Sequence, residues 1–472
     1  MEIVHCDVCV IGAGSAGLSV AAGAAQLGAK TILFERGAMG GDCLNYGCVP
    51  SKALLAAAGR AQAIRDAHTF GIEAGEAKVD FAKVMAHVQD VIAQIAPHDS
   101  VERFEGFGVR VIKADAKFTG PRQVSSGDVC VNAKRIVIAA GSEAAVPPIP
   151  GLDETPFLTN ETIFSLTEQP RHLLIVGGGP IGMEMAQAFV RLGSAVTVLE
   201  AATILPKDEP GMVDSLRQIL KAEGVTIREN AKVTRISRAG DAVAISLDGE
   251  AAPITGSHVL IAAGRKPRLE GLGLDAAKIA YNKKGVVVDA RLRTTAKHVY
   301  AIGDIAGGPQ FTHVAGYHGG LFIRNALFRL PAKVDYRTLP WVTYTEPELA
   351  HIGMTEADAR KQYGDDVQII AQDIAKNDRA QAQRETAGRI RIITRRGKQI
   401  LGVSILGANA GELISLWSLA MTKKMKPSVL LGLMLPYPTV GEISKTAISN
   451  YFAPKLFSKW PRLVVRLLLR LG

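Results

Sequence analysis

One pattern occurs twice in this chain and limits what it can fold into. Residues 8–11 read VCVI, a run suited to a buried parallel strand. They are followed by Gly12-Ala13-Gly14-Ser15-Ala16-Gly17, an alanine-rich helical stretch, a second strand-like run Thr31–Phe34, and then Glu35. The same order returns as Leu173–Val176, Gly177-Gly178-Gly179-Pro180-Ile181-Gly182, a helical stretch, Ala195–Leu199 and Glu200. In both copies the acid lies 23 positions beyond the first glycine. This is a βαβ unit with a dinucleotide fingerprint: the glycines permit a tight turn, close approach of a pyrophosphate and close helix packing, and the acid reaches a ribose hydroxyl. A lone glycine triplet carries little weight. Two copies in full context imply two dinucleotides and two Rossmann-like α/β domains.

Two further strand-like runs ending in Ala-Gly, Ile136–Gly141 and Val259–Gly264, read as the strands that close each nucleotide domain. The proline-rich stretch Val146–Gly151 reads as a hinge between them, and Val299–Ile302 leads into Gly303-Asp304, an acid placed for a cofactor sugar chain. After Pro331 the strand signals shorten, as for a third, α+β domain. The expected division is a discontinuous first nucleotide domain over 1–145 and 265–335, a second over 146–264, a third domain over 336–450 and a tail over 451–472. At the second fingerprint, Glu200 suits a free 2′-hydroxyl and would repel a 2′-phosphate. Residues 201–207 (AATILPK) offer no arginine to hold that phosphate, which favours NADH over NADPH. Lys207 reads as a solvated loop lysine.

At 472 residues the chain is long enough for about three domains. Its 48 glycines fit backbone that must approach phosphates closely. Five unevenly spaced cysteines and a start (MEIVHCDVCVIGAG) without a signal-peptide pattern point to the cytoplasm rather than a secreted disulfide framework. The net charge of +10 does not indicate a nucleic-acid partner, because half of it lies in residues 451–472.

Just past the first acid comes Gly40-Gly41-Asp42-Cys43-Leu44-Asn45-Tyr46-Gly47-Cys48-Val49-Pro50-Ser51-Lys52. Thiolates are the nucleophiles of sulfur exchange and are favoured near cations and helix N-termini, so Cys43 and Cys48 form a candidate redox pair. This segment, set between two fingerprints, resembles the active-site segment of the flavin-dependent pyridine nucleotide–disulfide oxidoreductases, the group containing dihydrolipoamide dehydrogenase, glutathione reductase and mercuric reductase. The resemblance covers residues 5 to about 450. It implies FAD held by Gly12, Gly14, Gly17, Glu35, Lys52, Gly141 and Asp304, and NAD held by Gly177, Gly179, Gly182, Glu200 and Gly264. It also implies a homodimer joined through the third domain. Cys43 would exchange with substrate and Cys48 would touch the flavin, while Lys52 would lie near the ring with Glu184 as its ion-pair partner. Electrons would pass from NADH through FAD to the disulfide and on to an acceptor.

The chain departs from the group at Leu435-Pro436-Tyr437-Pro438-Thr439-Val440-Gly441-Glu442, where most members carry His-Pro-Thr-x-x-Glu and use the histidine of the other subunit as acid and base. Tyr437 takes that place and Glu442 remains. A phenol with a pKa near 10 cannot shuttle protons at neutral pH as imidazole can. Mercuric reductases also carry tyrosine there, but the cysteine pair they add near the C-terminus has no counterpart, since the last cysteine is Cys130. The acceptor is therefore expected to be a metal ion, a quinone or a membrane partner. The alternatives are a dihydrolipoamide dehydrogenase that tolerates Tyr437, or a redox-sensing electron-transfer subunit. His313 and His318 are read as packing residues and not as substitute bases. Cys6 and Cys9, three apart on the first strand, should point to opposite faces as core and edge residues, and Cys130 should be a core residue of a similar strand. No resident metal site is expected.

Residues 456–471 (LFSKWPRLVVRLLLRL) place Arg462, Arg466 and Arg470 four apart among leucines and valines, on a helix expected to begin near Pro461. A tail of this kind suits either an anionic membrane surface, with the protein peripheral on its inner face, or docking on its own subunit or a partner.

Overall fold

The computed structural model describes residues 2–471, so Gly472 of the expected tail lies outside the described residues. Two compact units divide the chain: one holds residues up to 178, 188–201 and 230–334, the other 179–187, 202–229 and 335 onward.

In the first unit the leading fingerprint lies in the parallel part of a seven-stranded sheet, whose remaining strands Gln123–Ser125 and Lys117–Gly120 are antiparallel. The parallel order is Val109–Ile112, Thr31–Phe34, Glu2–Ile11, Val129–Ile138, Val299–Ala301. These strands are rich in Val, Ile and Leu because both faces of a parallel sheet are covered. One face carries Ile32, Phe34, Ile136 and Ile138, the other Val8, Val10, Leu33 and Val137. Helix Ser15–Gln26 follows the glycine turn and buries Ala16, Leu18, Val20, Ala21 and Ala24. It packs tightly on helix Thr312–Phe322: a Cβ on Gly319 would stand 2.8 Å from that of Ser19. The second fingerprint has the same architecture, with His172–Val176 flanked in parallel by Ala195–Leu199 and His258–Ile261. Both Ala-Gly runs thus supply strands parallel to the first strand of their unit, and Val299–Ala301 lies alongside Val129–Ile138.

One expectation is corrected. Cys6 and Cys9 both lie in the same core cluster, with exposures of 5% and 0%. The strand's alternation slips at Asp7, where the Asp7 and Val8 N–H groups both donate to the Lys30 carbonyl, at 2.9 and 3.2 Å. With this slip Cys9 returns to the face that Cys6 occupies, while the register with Val129–Ile138 is unbroken. Burial pushes the Cys6 thiol up to about 12 and raises Cys9 well above its ordinary value. Cys130 is buried as expected.

The second unit contains a five-stranded antiparallel sheet in the order Pro340–Thr343, Glu348–Gly353, Gln399–Gly407, Arg389–Arg395, Val367–Asp373. Helices Ala410–Thr422 and Glu442–Leu456 bury Ile414, Trp417, Ile443 and Ile448 in the cluster formed with this sheet. Trp417 is fully buried and donates through Nε1 to Ser444 Oγ at 3.2 Å, so its polar atom is satisfied. The helix through Asn450 runs on to Leu456. After a break at Phe457 and Ser458 a separate helix, Lys459–Leu468, begins two residues before Pro461. Among the described residues no helix is long and apolar enough to cross a membrane.

Candidate active site

The first glycine turn is built so that only glycine fits. Gly12 has φ +104°, and a Cβ there would lie 2.5 Å from the Ala139 carbonyl oxygen; one on Gly17 would strike the Gly12 carbonyl. Glu35 folds back over this turn. One carboxylate oxygen accepts the Ala13 N–H at 2.7 Å and the other the Gly37 N–H at 2.6 Å, leaving lone pairs for further hydroxyl donors. The second turn repeats the design. Gly177 has φ +119° with its missing Cβ 2.4 Å from the Ala262 oxygen, and Glu200 accepts the Gly178 N–H at 2.7 Å. Gly141 and Gly264 end their strands with positive φ, and Gly182 is buried in helix Pro180–Leu192 beyond Gly179. Two narrow cradles, each closed by an acid and open only to close backbone approach, fit two dinucleotides.

The redox segment lies directly on the first cradle. Gly40 and Gly41 take left-handed conformations, the Gly40 N–H donates to the Ala13 carbonyl at 3.0 Å, and a Cβ on Gly41 would come within 2.6 Å of the Gly14 Cα. Any side chain at Gly41 would lift the cysteines off the turn. Cys43 sits in the one-turn helix Gly41–Asn45, which Asn45 secures by donating to the Met39 and Gly41 carbonyls at 3.0 and 2.8 Å. Cys48 is the first residue of helix Cys48–Asp66, whose unpaired N–H groups and dipole favour a thiolate. Pro50 is tolerated because it falls in the first turn.

Cys43 is half-buried and Cys48 exposed, and the two thiols hydrogen-bond one another. The Cys48 thiol is lowered to about 6, chiefly by the Cys43 hydrogen bond and then by the Thr312 hydroxyl and the Lys52 charge, against the opposing cost of burial. Cys43, donor in that bond, is raised. The pair is thus asymmetric, with the anion resting on Cys48. Thr312 Oγ1 stands 3.5 Å from Cys48 Sγ at the start of helix Thr312–Phe322, and half-buried Lys52 extends one turn beyond Cys48, donating to Ser51 Oγ at 3.4 Å.

A chain of polar contacts ties this segment to Asp304. Asp42, beside Cys43, accepts from Asn160 Nδ2 at 3.0 Å and pairs with Arg265 at 2.9 Å. Arg265 Nε donates to Ser142 Oγ at 2.8 Å, and that hydroxyl donates to Asp304 at 2.6 Å. Burial raises the Asp304 carboxyl. Sequence reasoning found Asp304 but missed Thr312, Arg265, Ser142 and Asn160. The contact between Cys48 and Thr312 spans 264 positions, and no local pattern marks it; only the position of Arg265, directly after the Ala-Gly strand end, could have drawn notice.

In the second unit, buried Glu184 accepts the Tyr344 N–H at 2.9 Å. Tyr437 is 71% exposed and donates its hydroxyl to Asp378 at 2.9 Å, and that carboxylate raises the phenol above its ordinary range. Glu442 accepts the Thr439 N–H at 3.3 Å. His318 accepts the Gly303 N–H at 3.1 Å, and burial lowers it to about 4; His313 stacks on Phe311 at 5.1 Å. His318 is buried, whereas His313 is exposed. Among the described residues no cluster of three or more His, Cys, Asp or Glu side chains is placed to hold a metal ion.

Two glycine cradles, a cysteine pair and an antiparallel C-terminal sheet define a flavin- and nicotinamide-dependent disulfide oxidoreductase with its own dimerisation domain. The chain belongs to the pyridine nucleotide-disulphide oxidoreductase family: residues 6–319 match that family and residues 339–448 its dimerisation domain. It is therefore an FAD-containing, NAD(P)H-dependent enzyme that forms a homodimer. It is 34% identical to a mercuric reductase of Bacillus cereus over 94% of this chain and 71% of that one. It is 33% identical to a dihydrolipoyl dehydrogenase of Bacillus subtilis (strain 168), over 93% and 97%. Among solved structures it is similar to the Cu(II) complex of the HOCl-induced flavoprotein disulfide reductase RclA from Escherichia coli, with a TM-score of 0.85, 30% identity and coverage of 93% and 99%.

Proposed function

We propose that the chain uses NADH to reduce a Cys43–Cys48 disulfide and passes the two electrons to a metal ion. Bound FAD would supply the two-electron relay between the reduced nicotinamide and the sulfur pair. Gly12, Gly14, Gly17, Glu35, Gly141 and Asp304 are assigned to holding it, and Gly177, Gly179, Gly182, Glu200 and Gly264 to holding NADH. Lys52 is assigned as the cation beside the flavin-proximal thiolate and Glu184 as the carboxylate of that machinery. In each cycle the S–S bond takes up two electrons and two protons to give two thiols. A mercuric ion bound by the thiolates takes both electrons, or two cupric ions take one each; the S–S bond re-forms and two protons leave.

The observation that carries this reading is Tyr437, an exposed phenol hydrogen-bonded to Asp378 and raised by it. Such a group stays protonated at neutral pH and cannot take a proton from an exchange thiol. A dithiol substrate needs that base, whereas a metal ion leaves a thiolate without a proton donor. Protein reduced anaerobically with NADH should be reoxidised faster by mercuric or cupric ions than by lipoamide, glutathione disulfide or a quinone. Lipoamide in first place would overturn the assignment in favour of a dihydrolipoamide dehydrogenase. A membrane surface or membrane protein met through residues 451–472, with the enzyme peripheral on the inner face, is proposed on the amphipathic pattern of that segment.

A further inference from the structure

From Pro454 to Leu471 every residue except Pro461 is exposed, including Leu456, Phe457 and Trp460 at 63%, 61% and 76% and Leu463, Val464, Val465, Leu467, Leu468, Leu469 and Leu471 at 51–78%. At 3.6 residues per turn, the helical cations Lys459, Arg462 and Arg466 fall within an arc of roughly 60°, and the apolar side chains of the helix occupy roughly 200° of the remainder; Leu469, Arg470 and Leu471 follow in the turn that ends it. No acid follows Glu442, while Lys445, Lys455, Lys459, Arg462, Arg466 and Arg470 do. The Phe457–Ser458 break frees this helix from the register of Glu442–Leu456, whose own buried residues end at Ile448.

The width of the apolar arc identifies the partner. A groove on a folded protein, or the seam of a coiled coil, covers one stripe of a helix and would leave most of this arc in water. A bilayer interface wraps the whole arc, with the narrow cationic stripe at the headgroups and Trp460 at the boundary between headgroup and acyl chain, where indole is favoured. The stripe has one sign only, so the complementary surface is anionic. The helix is too short to span, in accord with the lack of a spanning helix among the described residues.

We propose that helix Lys459–Leu468, with the three residues that follow it, is a surface-seeking element that lies flat on a bilayer of anionic lipid and anchors the enzyme there. This deepens the membrane reading given above by naming the lipid class and the orientation, and it is independent of which acceptor the dithiol serves. The test uses the full-length holoprotein in flotation with vesicles of phosphatidylcholine alone or with about one third phosphatidylglycerol. Binding to the anionic vesicles should exceed binding to the neutral ones at least tenfold and weaken as salt rises from about 0.1 to 0.5 M. Arg462→Glu combined with Arg466→Glu and Arg470→Glu should lose at least tenfold in binding with NADH reduction of the protein unchanged. The fluorescence difference between wild type and Trp460→Phe should move to the blue only with anionic vesicles. Equal flotation of wild type and the triple variant, or a Trp460 signal insensitive to vesicles, overturns the proposal. A change of oligomeric state in the triple variant without lipid also overturns it, in favour of a protein partner. Loss of metal turnover with flotation intact would sink the functional reading alone.

Discussion

At Cys48 the neighbouring thiol, the Thr312 hydroxyl and the Lys52 charge act on one sulfur, and together they outweigh the loss of water around the sulfur atom of a residue that is otherwise open to solvent. Because the folded value, about 6, lies below the ordinary 9.0, the thiolate stabilises the reduced fold most above pH 9, and that contribution fades as pH falls towards 6. Reduced wild-type protein should therefore lose thermal stability between pH 9 and 6 more steeply than reduced Cys48→Ser; parallel curves would refute the shift. Thiolate absorbance near 240 nm should titrate near pH 6 in the reduced protein and at higher pH in Cys43→Ala and in Thr312→Val, since each removes one hydrogen bond to the anion. Arg265 acts through others. Its contacts with Asp42 and Ser142 hold the residue beside Cys43 and, through Ser142, Asp304. Arg265→Met should weaken FAD retention at least tenfold, with Arg265→Lys recovering little because an ammonium cannot reproduce the planar fork. Unchanged flavin content in Arg265→Met would end that role.

At the scale of elements, the two glycine turns are alike in geometry but assigned to different cofactors, so the same substitution should have separable effects. Gly12→Ala drives a Cβ into the Ala139 carbonyl and should yield protein without bound flavin. Gly177→Ala, which meets the Ala262 carbonyl, should keep the flavin and raise the KM for NADH at least tenfold. Flavin loss from both variants would undo the assignment of the turns. These elements were legible because period and spacing are local properties: Thr31–Phe34 and Ala195–Leu199 lie where the residue pattern puts them. What was not legible depends on long-range contacts. The slip at Asp7 that places Cys6 and Cys9 on one face comes from sharing the Lys30 carbonyl, on a neighbouring segment. The Asp42–Arg265–Ser142–Asp304 chain joins residues from four separate stretches of sequence, each unremarkable alone.

At the scale of the whole molecule, the second unit presents large apolar side chains that a lone subunit would leave in water. Met434 is 97% exposed, Tyr437 71%, Leu419 54% and Val429 46%. Large apolar side chains left in water are expected where a partner covers them, and the dimerisation domain spans all four positions. The loop 433–441 thus has two constraints, a partner to cover it and Tyr437 held by Asp378. If Tyr437 is offered across the dimer to the other subunit's dithiol as a neutral oxygen ligand for the ion, a task that moves no proton, dimer formation and acceptor turnover are one property. Met434→Glu places a charge where the homodimer would exclude water, so sedimentation should show the equilibrium moving to monomer. Reoxidation of the reduced protein by mercuric ion should fall at least tenfold, while reduction by NADH, proposed above to use groups of one subunit, should continue. A dimer that persists in Met434→Glu would place the contact elsewhere on the domain. A monomer that keeps full turnover would show that Tyr437 only packs and that each subunit carries a complete site.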